Sequence, residues 1–187
     1  MNQISPKVNY KEYLPVLKYG NSILRKKVRL VEDFTIIPEK VEQMYKTMEE
    51  ENGIGLAANQ VGWNINLMVI DTSNYDNEKE GGNYVFINAE ILHSEGESIF
   101  EEGCLSIPNI RAEIKRPETI IIKYQNIKQK YYEQKYSGIT SRAIQHEIDH
   151  LNGKLFIDYL SQAKRMLIKK RLFKISKTGN PSSGIIL

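Results

Sequence analysis

The segment GITSRAIQHEIDHLNG, residues 138–153, sets the architecture of this chain. Its apolar residues recur at helical spacing and form one broad face, which consists of Ile139, Ala143, Ile144, Ile148 and Leu151. The pair Asn152-Gly153 that follows is a typical helix stop. We therefore predict a helix over residues 138–151 that is buried on most of its sides.

Two histidines and a glutamate inside this helix form the pattern HExxH. His146 and His150 are four residues apart, so both imidazoles lie on one helical face and can bind one metal ion. Glu147 lies beside them and can act on water at that metal. The same pattern also arises by chance, and the two histidines are then ordinary core or surface residues.

A catalytic divalent cation usually has three protein ligands, so the pattern needs a third. No histidine follows His150, and the nearest acid downstream is Asp158. Upstream, the only thiol of the chain is Cys104, between Gly103 and Pro108, which favour a special backbone turn. A lone cysteine can equally be a small buried hydrophobic residue, so the residues alone leave the third ligand open.

Short segments rich in β-branched and aromatic residues surround the helix and predict strands. They cover residues 67–71, 84–88, 110–114, 119–125 and 130–136, and their succession favours an antiparallel arrangement. We expect a second helix from Pro38 to a stop at Asn52-Gly53, and a last one over residues 160–175. Residues 75–83 read as a polar loop, and residues 13–31 as an irregular segment without visible chemistry.

The composition is that of an ordinary globular protein. The chain has 187 residues, of which 41% are hydrophobic and 26% charged, and this excludes disorder, collagen and coiled coil. One cysteine cannot form a disulfide framework. No apolar run approaches the roughly 18 residues of a membrane span, and the first residues resemble no targeting peptide. We expect a cytoplasmic protein that does not contact membranes.

A third segment, Gly53 to Gln60 (GIGLAANQ), is weak evidence of function by itself. It gains meaning as one of three motifs in this chain. Together with Glu102 to Ser106 (EGCLS) and Gln145 to Gly153 (QHEIDHLNG), it resembles the signatures of the peptide deformylase family, GxGLAAxQ, EGCLS and QHExDHLxG. The resemblance extends over residues 14–160. It implies an α+β fold in which antiparallel β-sheets wrap around a central metal-binding helix, with a C-terminal helix.

The resemblance also implies an activity, since family members remove the formyl group from the N-terminal formyl-methionine of new proteins. It makes Cys104, His146 and His150 the metal ligands, with water in the fourth position, and Glu147 the general base. The Gln60 side-chain amide and the Leu105 backbone N–H would stabilise the negative charge of the intermediate. Fe(II) is the expected metal, with Zn(II), Ni(II) or Co(II) as substitutes.

Further residues are expected around this centre by their register in the motifs. The methionine pocket and peptide contacts would come from Ile54, Gly55, Phe100, Ile139, Arg142 and Ala143, with the Arg142 stem along the pocket rim. Asp149 and Arg116 would form a pair that orients the metal-binding histidines. Each of these residues has an ordinary alternative, in the core or on the solvated surface.

The C-terminal part of the chain is basic. From Lys164 onward there are lysines and arginines but no acid, although the whole chain carries only +3, so the preceding part is acidic in sum. We predict one catalytic domain over residues 1–163 and a basic helix and tail over residues 164–187. Because nascent chains are the expected substrate, this helix is either a dock for ribosomal RNA or simply a solvated face.

Three other functions share some of these features. A zinc endopeptidase also carries HExxH but has a third ligand downstream, and a decayed family member would bind only metal or peptide. A nucleic-acid-binding module would rest on the basic tail alone, and we expect no DNA binding. We expect the protein to be a monomer.

Overall fold

Helix α2 (Gly138–Leu151) lies against one face of an antiparallel β-sheet, and helix α1 (Ile37–Glu50) lies against the other. The computed structural model describes residues 13–74 and 81–178. Within these residues the sheet has the order β1-β2-β3-β6-β7. Its strands are β1 (Gly55–Ala57), β2 (Leu67–Asp71), β3 (Asn83–Glu95), β6 (Thr119–Gln125) and β7 (Tyr131–Tyr136).

Strand β2 shows why two helices cover the sheet. Side chains alternate between the two faces of a strand, so an apolar run becomes buried only when both faces are covered. Met68 and Ile70 pack in the same core as α2, whereas Leu67 and Val69 pack in the core that contains α1. All four are fully buried. The sequence LMVI is therefore the centre of a three-layer arrangement.

A hairpin of β4 (Ser98–Cys104) and β5 (Ile107–Arg116) forms a separate two-stranded sheet in the described part of the chain. Its inner side packs on the segment that follows α2 and on helix α3 (Gln162–Thr178). The buried residues of this third core include Ile107, Ile110, Phe156 and Leu172. The hairpin is thereby held beside α2, and Cys104 at the end of β4 reaches His150 on that helix.

Gly153 determines how the chain leaves α2. Its φ is +74°, and a Cβ at this position would lie 2.6 Å from the carbonyl oxygen of Arg25. Both facts require glycine, because any other residue would be strained and would collide with fixed backbone. The neighbouring hydrogen bond from the Val28 N–H to the Leu151 carbonyl, 2.9 Å long, joins the same two segments.

The predicted α+β class is confirmed, and α2, β2 and β6 have the predicted bounds. Strand β3 continues to Glu95 and β5 covers residues 107–116, so both are longer than predicted. Strands β1 and β4 were not predicted, and α3 spans residues 162–178 instead of 160–175. The division of domains at residue 163 stays a prediction.

Residues 75–80 of the predicted polar loop and residues 179–187 of the basic tail lie outside the described residues. In the part of the chain that the structure describes, no helix combines the length and the apolar character that crossing a membrane requires.

Candidate metal centre

Three potential metal ligands converge from two elements that are distant in sequence. His146 and His150 come from α2, and Cys104 is the last residue of β4. Their ligand atoms lie within 4.8 Å of one another, and the Cys104 Sγ is 3.1 Å from the His150 Nε2. A thiolate with two imidazoles is a donor set that suits Zn(II) or Fe(II). The three residues therefore fit a divalent cation with one position left for water or substrate.

The acid that the sequence offered as an alternative ligand is engaged elsewhere. Asp158 accepts a hydrogen bond of 2.5 Å from the Arg25 Nη1 and another of 2.9 Å from the Leu155 N–H. It does not belong to the group of potential ligands found among the described residues. The geometry thus favours the upstream Cys104 over a downstream acid.

Glu102 orients His146, a role that the sequence reasoning missed. The His146 Nδ1 lies 3.0 Å from the Glu102 Oε2, which leaves the Nε2 of the same ring for a metal. A carboxylate behind a metal-binding histidine is a common arrangement. Burial alone would raise the pKa of Glu102, but hydrogen bonds from His146 and Arg116 outweigh it and lower that pKa to about 2. The position of Glu102 two residues before the only cysteine was the available signal.

The predicted pair of Arg116 and Asp149 is in contact. The Arg116 Nη1 donates to the Asp149 Oδ2 over 2.6 Å, while its Nε and Nη2 donate to Glu102 over 2.7 and 3.0 Å. Arg116 is therefore connected to His146 through Glu102. Asp149 is connected to the same histidine only through Arg116 and Glu102. The Tyr159 hydroxyl donates to the same Asp149 Oδ2 over 2.9 Å. The hydrogen bonds of Arg116 to Glu102 and Asp149 tie β5 to β4 and α2.

Arg142 is buried, and hydrogen bonds hold its guanidinium between α2 and β4. Its Nη1 donates to the Glu102 Oε1 over 3.0 Å, and its Nη2 donates to the Ser98 carbonyl over 2.8 Å. The Cζ atom lies 5.5 Å from the centre of the Phe100 ring. Arg142 thus joins α2 to the beginning of β4, although it also contacts the cavity described below.

Glu147 is 4% exposed and lies against β1. A Cβ on Gly55 would be 2.6 Å from the Glu147 Oε1, so only glycine permits this approach. The Oε2 atom is buried and has no hydrogen-bond partner among the described residues. Burial raises the pKa of Glu147 to about 7, although the neighbouring His146 acts in the opposite direction. The carboxyl group is therefore available to exchange a proton.

Gln60 is held so that its amide NH₂ group faces the centre. Its Oε1 accepts a hydrogen bond of 2.7 Å from the Ala57 N–H. Its Nε2 lies 3.3 Å from the Ser106 Oγ and 3.8 Å from the Cys104 Sγ. Leu105 follows Cys104 in the turn between β4 and β5.

A cavity of about 600 Å³ opens directly onto these groups. Two edge strands contribute to its wall. Strand β1 is at the edge of its sheet, and β4 has only β5 as its neighbour among the described residues. Every residue that was predicted to contact substrate lies on its wall, namely Ile54, Gly55, Phe100, Ile139, Arg142 and Ala143. The wall also includes Gln60, Cys104, Leu105, His146 and Glu147.

Known proteins are similar to this chain in sequence and in fold. The polypeptide deformylase family model matches residues 13–166. A peptide deformylase of Cytophaga hutchinsonii is 42% identical over 166 residues, which cover 87% of this chain and 90% of that protein. The crystal structure of a Thermus thermophilus peptide deformylase is similar with a TM-score of 0.81 and 35% identity, covering 88% of this chain and 98% of that one. One from Legionella pneumophila has a TM-score of 0.80 and 36% identity, covering 89% and 97%.

Proposed function

The chain belongs to the polypeptide deformylase family, and from that premise we propose how its own residues carry out the reaction. It is a metal-dependent hydrolase that removes the N-formyl group from the N-terminal formyl-methionine of newly synthesised proteins and releases formate. The observation that carries the proposed mechanism is the convergence of Cys104, His146 and His150 beside Glu147 at one cavity.

Cys104, His146 and His150 would hold the divalent cation. Such an ion polarises the bond under attack and lowers the pKa of water, towards about 7 in well-studied zinc sites. Glu102 supports this role, since its hydrogen bond to the His146 Nδ1 fixes the ring with the Nε2 directed away from the carboxylate.

Glu147 moves the proton. Its carboxylate takes a proton from the attacking water and passes it to the nitrogen of the departing amine, so that formate and a free N-terminus result. The close approach of Glu147 to Gly55 supports this assignment, because it brings the carboxylate to the strand along which the substrate would lie. Its free Oε2 leaves one oxygen available for the transfer.

Gln60 and Leu105 would stabilise the negative charge that develops on the formyl oxygen. The hydrogen bond from the Ala57 N–H to the Gln60 Oε1 supports this role for Gln60, because it turns the Nε2 towards Cys104, where this group also donates to the Ser106 Oγ over 3.3 Å. The Leu105 backbone N–H would be the second donor. Loss of one such donor typically slows a reaction by about 100-fold to 1000-fold.

The substrate peptide would bind as an added strand between β1 and β4. Gly55 on β1 and Phe100 on β4 both line the cavity, and an extended chain bound there would form backbone hydrogen bonds with both strands. This mode tolerates many sequences beyond the first residue. Ile54, Ile139 and Ala143 would form the apolar pocket for the methionine side chain, with Arg142 behind it.

Fe(II) is the proposed native metal, with Zn(II), Ni(II) or Co(II) as substitutes. Cysteine sulfur is a soft and strongly donating ligand, which suits Fe(II) as well as Zn(II). Fe(II) beside a thiolate is sensitive to oxygen. The same proposal places the protein in the cytoplasm as a monomer, where reducing conditions preserve both the thiolate and Fe(II).

Protein purified without oxygen is expected to release formate from a formyl-Met tripeptide. A chelator should abolish the activity, exposure to air should reduce it, and added Ni(II) or Co(II) should restore it. The measurement is formate production together with metal content on the same sample. A blocked peptide with only internal bonds is the control and should stay intact. Folded and fully metallated protein that produces no formate would contradict the proposed activity, and full activity after aerobic storage would contradict Fe(II).

Helix α3 is the proposed contact with the ribosome, where nascent chains emerge. Leu172 is buried against β5, and Ile168 and Ile175 pack against the same core, so the helix is anchored on one side. All of its basic residues are exposed, namely Lys164, Arg165, Lys169, Lys170, Arg171, Lys174 and Lys177. The helix contains no acidic residue. This surface is complementary to an RNA backbone.

The double variant Lys169→Glu/Lys170→Glu is expected to lose co-sedimentation with ribosomes at low salt. Both side chains are exposed, so the change removes attraction to phosphate without uncovering Leu172. The variant Lys27→Glu/Lys128→Glu makes the same change of net charge elsewhere on the surface and should still co-sediment. If both variants and the unchanged chain co-sediment with ribosomes to the same extent, the proposed contact is wrong.

A further inference from the structure

Three consecutive residues near the start of the described chain bridge the two segments that carry the proposed oxyanion donors. The Leu17 N–H donates to the Gln60 carbonyl over 2.7 Å, and the Tyr19 N–H donates to the Ser106 carbonyl over 2.8 Å. Between them, the Lys18 Nζ donates to the Leu105 carbonyl over 3.0 Å. One short segment thus contacts both Gln60 and the turn that contains Leu105.

The Leu105–Ser106 turn is short and receives hydrogen bonds from outside its own hairpin. Leu105 and Ser106 are the only residues between β4 and β5, and Cys104 pairs with Ile107 directly beside them. Residues at the tip of a hairpin are usually its most mobile part. Here both carbonyl groups of the tip accept hydrogen bonds from outside the hairpin, one from Lys18 and one from Tyr19.

Lys18 provides the one side-chain donor among these three, and its ammonium group has two partners. The side chain is 20% exposed, and the Nζ is also 3.7 Å from the Glu51 Oε2. A charged donor generally forms a stronger hydrogen bond than a neutral one. Glu51 directly follows α1, so Lys18 links the hairpin tip to the end of that helix, on the wall of the cavity.

We propose that Lys18 is a positioning residue that holds the Leu105–Ser106 turn, so that the Leu105 N–H stays aligned with the Gln60 amide during the reaction. This inference rests on the proposed function, in which both groups face the developing negative charge. Small misplacements of catalytic groups are costly, and an error of about 1 Å can reduce a rate by about 100-fold. Lys18 itself acts through Leu105 and needs no contact with the reacting atoms.

The variant Lys18→Met tests this inference, because it keeps the aliphatic stem and removes the ammonium group. We expect kcat for a formyl-Met tripeptide to fall by about 10-fold, since the turn is loosened but not lost. KM and metal content should change little, because neither the peptide-binding strands nor the ligands are altered. Lys18→Arg keeps a charged donor and should recover most of the lost kcat. Lys46→Met, which removes an exposed ammonium group from α1, is the matched control and should keep the original kcat.

The possible outcomes separate this inference from the function on which it rests. An unchanged chain that releases no formate would overturn the proposed function and this inference together. An active chain whose Lys18→Met variant has the same kcat would overturn the inference alone. A variant that loses metal or unfolds in parallel with its activity would also overturn it, since Lys18 would then have a merely structural role.

Discussion

The Glu147→Gln variant is expected to release formate about 10²- to 10⁴-fold more slowly than the unchanged chain, which is the usual contribution of a general acid–base residue. Glutamine has nearly the same shape but cannot accept a proton. Because Glu147 is 4% exposed and its Oε1 closely approaches Gly55, the amide should occupy the same space without disturbing α2. The measurements are kcat, KM and metal content on one preparation.

The control for this variant is Glu50→Gln, which makes the same chemical change at an exposed position of α1. It should leave kcat, metal content and thermal stability unchanged. If Glu147→Gln keeps the original kcat with a full complement of metal, Glu147 is not the residue that moves the proton. Loss of metal in Glu147→Gln would instead assign this residue to the stability of the centre.

The Cys104→Ser variant is expected to bind metal more than about 100-fold more weakly, because even residues that only orient a ligand contribute about 10- to 100-fold to affinity. It should therefore lose formate release almost completely after dialysis. Serine fits the space of the cysteine, so the 3.1 Å approach to the His150 Nε2 can persist without a soft ligand atom. The measurements are elemental analysis of the dialysed protein and formate release.

His93→Ala is the control for this second prediction. It removes the one histidine of the chain that lies outside the HExxH pattern, at an exposed position on β3. Metal content and activity should both stay at the level of the unchanged chain. A Cys104→Ser variant that retains its metal through dialysis would show that the thiolate is not a ligand, and the choice of the third ligand would have to be reopened.

Two glycines of the sequence motifs have a clear physical reason in the structure. A Cβ at Gly55 would lie 2.6 Å from the Glu147 Oε1, so this glycine lets the Glu147 carboxyl group approach β1 as closely as it does. Gly153 is required by its positive φ and by the carbonyl of Arg25. The first glycine makes room for a neighbouring side chain, and the second allows the backbone to leave α2.

The strands show where sequence patterns were sufficient and where they were not. Strands β2 and β6 are continuous apolar or alternating segments, and their own composition predicts their bounds. Strand β4 reads SIFEEGC, in which two adjacent glutamates and a glycine weaken the pattern. It is a strand because it pairs with β5, and Glu102 points inward because Arg116, Arg142 and His146 meet it there. Composition does not report such pairing.

The sequence by itself determined the helix 138–151, the single face shared by His146 and His150, and the three motifs that imply the reaction. These features depend on residues close together along the chain, and helical geometry then sets their relative positions. Only the tertiary structure decided that Glu102 orients His146, that Arg142 is buried, and that Lys18 contacts Leu105, 87 residues further along the chain. Contacts over such separations depend on how sheets and helices pack, because no local rule relates the two residues.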